Sequence, residues 1–144
     1  MTTIPTPDVD TAMVLGMAST ALPFADTPEA EAERWLRILR MYGEAGEALQ
    51  SLGVSEGPLE GGAEGEHRPE TADSGHSDAI RAVTERAVGV AVARGSRVVS
   101  AGDVLVAVMD VYGEYFDRVL HVHGTDRSEV LLRLETVPIS GAMN

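Results

Sequence analysis

The chain has 144 residues, with 11 basic side chains against 23 acidic ones and a formal net charge of −12. Phosphate backbones and anionic bilayers repel such a chain, so nucleic acids and membrane surfaces are not expected partners. Cysteine is absent and every basic residue is arginine, which removes disulfides, thiol chemistry, thiolate metal sites, Schiff-base lysines and the lysine of a phosphate-binding loop. Aromatics make up only 4% while the apolar fraction is 44%, so the core has to be built from Ala, Val, Leu and Met, which suits close-packed helices. Arginine without lysine, beside abundant Ala, Gly and Val, fits a GC-rich bacterial gene.

The first element is expected at Thr6-Pro7-Asp8, with Thr6 as cap and Pro7 at the first helical position. Val9, Met13, Met17 and Ala21 then recur every four residues as one apolar stripe. Asp8 and Asp10 stand where a secretory leader carries positive charge. No run reaches the roughly 18 apolar residues of a membrane helix, so a cytoplasmic protein is expected. Pro23 stops the helix. Thr27-Pro28-Glu29 repeats the start signal, with Glu29, Glu31 and Glu33 early and Arg34, Arg37 and Arg40 late, the order that complements a helix dipole. The arginine ridge is expected to pair with Glu31, Glu33 and Glu44. Trp35, Ile38, Leu39 and Tyr42 form the buried stripe, Gly43 breaks the helix, and Ala45, Ala48, Leu49 and Leu52 form a short third helix closed by Gly53.

Residues 54–76 are rich in glycine and acid and poor in apolar side chains, which predicts a solvated linker. The next helix is expected to open at Ser77 or Asp78, to carry Ile80, Val83, Ala87, Val90 and Ala91, and to end at Gly95. Val98-Val99 is a short extended connector. Ser100 to Asp103 has the form of a capping box with Asp in place of Glu. Val104, Leu105, Val108, Met109 and Tyr112 continue the stripe. The run VLVAVM there is β-branched and apolar enough for a strand, but the helix it belongs to matches LRILRM, which contains strong helix formers and favours helix. Gly113 breaks this helix, Tyr115 to Leu120 form the next, Gly124 closes it, and Asp126 caps a last helix through Leu134.

Two stretches match: LRILRMYGE at 36–44 and VAVMDVYGE at 106–114, an offset of 70 from Tyr42 to Tyr112. The match extends outward, which divides the chain into copy one (8–53), linker (54–76), copy two (77–124) and a final helix (126–134), together a domain over 8–135. Residues 1–7 and 136–144 are expected to be tails. The fold class predicted is all-α, with two tandem helical repeats packed as a pseudo-twofold bundle.

The second copy, AVGVAVARGSRVVSAGDVLVAVMDVYGEYFDRVLHVHG (87–124), and more faintly the first, TPEAEAERWLRILRMYGEAGEALQSLG (27–53), resemble the Clp repeat, the N-terminal domain of the Clp AAA+ unfoldases. In that family an alanine-rich helix ends in glycine, a Gly-Thr-Glu-His-like turn opens a leucine-rich helix, and a third helix ends in Leu-Gly. The resemblance implies a substrate-receiving site at the turn, including for arginine-phosphorylated proteins. This chain has Ala101-Gly102 where Thr-Glu would stand, and it carries no ATPase module or phosphate loop.

The function expected from these residues is a non-enzymatic protein-binding module, an adaptor or regulator of a Clp-type protease or its substrates. The alternative is sequestration of a small macrocyclic molecule, which exposed apolar side chains such as Phe116 or Val99 would favour. Candidate ligand-binding residues are Thr27, Glu29 and Glu33 at one helix start and Ser100 and Asp103 at the other, where open backbone N–H groups would hold an anion and nearby acids a cation. No catalytic set, metal set or cofactor loop is expected: His121 and His123 point to different faces of a helix, and Ser74, His76 and Asp78 stand in the linker. Trp35, Tyr112 and Tyr115 are expected in the core rather than in a groove.

Overall fold

The computed structural model describes residues 4–25, 27–54 and 73–136, with side chains omitted for Phe24, for 73–77 and for Thr136. Over those residues the chain is all-α. Among the described residues there are seven α-helices: α1 (Val9–Ala21), α2 (Pro28–Leu39), α3 (Gly43–Ser51), α4 (Asp73–Ala93), α5 (Ala101–Tyr112), α6 (Glu114–Val122) and α7 (Arg127–Thr136). The exception is a pair of two-residue strands, β1 (Thr6–Pro7) and β2 (Val98–Val99), which run parallel with Thr6 opposite Val98.

That strand pair corrects the expected N-terminus. Thr6 and Pro7 are extended, Asp8 N–H donates to the Val99 carbonyl at 3.0 Å, and the cap of α1 is Asp8, whose Oδ1 accepts from Thr11 N at 2.7 Å. The buried face of α1 is also different. Thr11, Val14 and Ala18 face the core, while Val9 is 79% and Met13 48% exposed; Met17 and Ala21 pack only partly. Apolar residues lie all round this helix, so four-residue spacing fits two faces equally well. The choice is made by Thr11 Oγ1, which donates to the Val99 carbonyl at 2.7 Å inside the protein.

At the second helix, Thr27 caps as expected, with Oγ1 accepting from Ala30 N at 3.0 Å. However, α2 ends at Leu39, and Tyr42 sits in extended backbone at the start of α3 rather than on the α2 stripe. The Gln50 side chain donates to the Arg40 carbonyl at 2.8 Å and so satisfies one acceptor that the ended helix leaves open. Gly43 then takes φ +60°, a turn that costs a glycine little.

Both ends of the predicted linker are structured. Val54 is buried and accepts from Arg40 Nε at 2.8 Å, and α4 begins at Asp73 rather than at Ser77 or Asp78. Asp73 and Ser74 are residue types that start helices as readily as the later pair. The rest of the linker, 55–72, lies outside the described residues, as do the tail from 137 and the side chains of Ser74 and His76.

The helix α5 is the hub, packing against all six other helices. Nine of its twelve residues are buried, including Val104, Leu105, Val108 and Met109. That is why its sequence is a nearly unbroken apolar run. Each fully buried Leu or Val there contributes about 2 kcal/mol of transfer free energy. The seam with α2 carries a buried polar link: Trp35 Nε1 donates to Tyr112 Oη at 3.0 Å, and Tyr112 Oη donates to Glu31 Oε1 at 2.7 Å. Trp35 and Tyr112 are thus core residues.

The order long helix, connector, capped helix, glycine, short helix occurs in each half. Both capped helices have 12 residues and both short helices 9. The caps Thr27 and Ser100 are 73 apart (100 minus 27), whereas Gly43 and Gly113 are 70 apart (113 minus 43), because a turn at 40–42 follows α2 while α5 runs on through Tyr112. The offset of 70 sets Glu33 opposite Asp103, but three residues after its cap, where α5 has Asp103, α2 has Ala30.

Candidate functional site

The five candidate residues divide between two helix starts that face different neighbours. At α2 the acids are turned toward α6. Glu29 forms an exposed ion pair with Arg118, and Glu33 Oε2 lies 2.9 Å from His123 Nε2, both groups largely buried. These contacts fasten α2 to α6. Arg118 also lies over the Tyr115 ring, 5.6 Å from its centre, and Tyr115 is partly exposed rather than in the core.

At α5 the capping box is complete. Ser100 N–H donates to Asp103 Oδ2 at 2.9 Å and Asp103 N–H to Ser100 Oγ at 3.3 Å. Asp103 is buried and also takes a two-pronged contact from Arg94 in the turn after α4, with Nε to Oδ1 at 2.7 Å and Nη2 to Oδ2 at 2.6 Å. That hydrogen-bonded carboxylate raises the Arg94 pKa above its ordinary value against the opposing effect of burial, and Glu44 and Asp8 add to the rise.

Two of the N–H groups expected open here, those of Gly102 and Asp103, are taken. Glu44, delivered from the start of α3, is only 8% exposed, and its Oε2 accepts from Gly102 N at 3.0 Å. A Cβ on residue 102 would stand 2.7 Å from that oxygen. Gly102 is thus the cut-out that admits the carboxylate, which then lies at the positive end of α5.

Three residues of this cluster, Glu44, Arg94 and Gly102, were not among the candidate site residues read from the sequence. One signal was present for Gly102, a poor helix former in the first turn of an otherwise apolar helix. For Glu44 there was none, since its sequence counterpart Glu114 is exposed and pairs with Arg118, four residues along α6.

Beside this cluster lies a groove of about 340 Å³ between α4, α5 and α7. Val90, Val106, Leu131 and Leu134 make its apolar walls, and Glu44, Arg94, Asp103 and Glu135 its charged margin. Its size is that of a site for one or two side chains. Glu44 also borders a more polar hollow of about 570 Å³ with Asp10, Met41 and Glu47. Among the described residues no group of three His, Asp or Glu could hold a metal ion. Phe116 and Val99, whose exposure would have favoured macrocycle sequestration, are both buried. No described helix is long and apolar enough to cross a membrane.

No family model matches the chain, and no curated protein or solved structure matches it either.

Proposed function

We propose that this chain is a non-enzymatic protein-binding module of the Clp-repeat kind, cytoplasmic and bacterial, that serves as adaptor or regulator of a Clp-type protease or its substrates. The observation that carries the binding role is the apolar groove between α4, α5 and α7, built against the most buried helix and ending at a polar cluster. An extended peptide could lay an apolar side chain between Val106 and Leu131. The Clp relationship is supported by the sequence pattern over 87–124 and by the recurrence of the same element order in each half, which we read as two copies of one unit.

The test is binding of short apolar peptides followed by fluorescence anisotropy, with Leu131→Arg as the blocking variant. Leu131 is partly exposed, so the change fills the groove without entering the core. Saturable binding by the parent and at least a tenfold loss in the variant is the expected result. Parent protein that binds no peptide, and retains no Clp unfoldase or Clp protease subunit, refutes the proposal. Sequestration of a macrocycle stays as the second reading on the strength of the same apolar walls, and stabilisation by a macrocycle in a thermal-shift screen, with no peptide binding, would favour it.

A further inference from the structure

We draw no further inference here: the strongest candidate, the side chain of Arg34 on α2, whose buried Nε has no hydrogen-bond partner among the described residues, borders neither the apolar groove nor the polar hollow beside Glu44, and nothing in the structure shows what covers it.

Discussion

The two capped helix starts carry the same local signal and end up in different surroundings. Thr27 caps α2 in solvent, one hydroxyl to one amide, with Glu29 in an exposed ion pair. Ser100 caps α5 inside the protein, where Asp103 completes the box, Arg94 grips Asp103, and Glu44 from α3 enters over Gly102. A cap at the surface is a contribution to one helix. A cap in the interior joins three elements, because every buried polar group in it has to find a partner.

The comparison breaks most sharply at Asp103. Replacing it with alanine removes the reciprocal half of the capping box and strands Arg94 beside apolar walls, and should cost about 3 kcal/mol, below the full figure for a buried pair because the arginine is part-exposed. Urea denaturation measures this, and a loss under about 1 kcal/mol would mean that the interior cap is no different from the surface one. Next comes Gly102→Ala, at about 1–3 kcal/mol, since the new methyl has to displace a seated carboxylate. In a Glu44→Ala background the same change should become neutral or stabilising by up to about 1 kcal/mol, as alanine is the better helix former. A penalty that survives in the double variant would show that Glu44 is not the group in the way.

The seam between the two capped helices gives a pH test. Burial first, and then the hydrogen bond to Glu31, push the Tyr112 phenol far above its ordinary pKa of 10.0. A raised folded-state pKa means a contribution that is complete below pH 10 and is lost as pH rises beyond it. The expected slope is about 1.4 kcal/mol of stability per pH unit. The chain has three tyrosines and no lysine, so few other groups obscure the effect, and Tyr112→Phe should flatten the slope. Phenolate absorbance should show one tyrosine that titrates only on unfolding. Smallest of all is the surface start: Thr27→Ala should cost about 0.5–1 kcal/mol, and Glu29→Ala under about 0.5 kcal/mol, because an exposed ion pair is worth little.

Much of the fold was legible because its signals are local. The Ser100–Asp103 box, the Asp126 cap and the positive-φ breaks at Gly43 and Gly113 each involve residues within a turn of one another. The α5 core positions were legible too, since burial on nearly all sides leaves an apolar run with little ambiguity. The exposed face of α1 was misjudged because that helix is apolar all round, and the deciding hydrogen bond comes from Thr11 to a residue 88 positions away. Of the candidate site, Ser100 and Asp103 were found from the box. The partners that give them a character were not, since Arg94 lies across a turn and Glu44 comes from the other half.

Composition, helix signals and capping chemistry determined an all-α, strongly acidic chain with a capped, buried central helix, because those properties arise from residues near one another along the chain. Tertiary structure alone decided that Thr6–Pro7 would pair with Val98–Val99 and that Glu44 would cross 58 residues to fill the notch at Gly102. Such pairings depend on which buried donor comes to lie beside which acceptor once the helices pack, and no local pattern in the sequence encodes that.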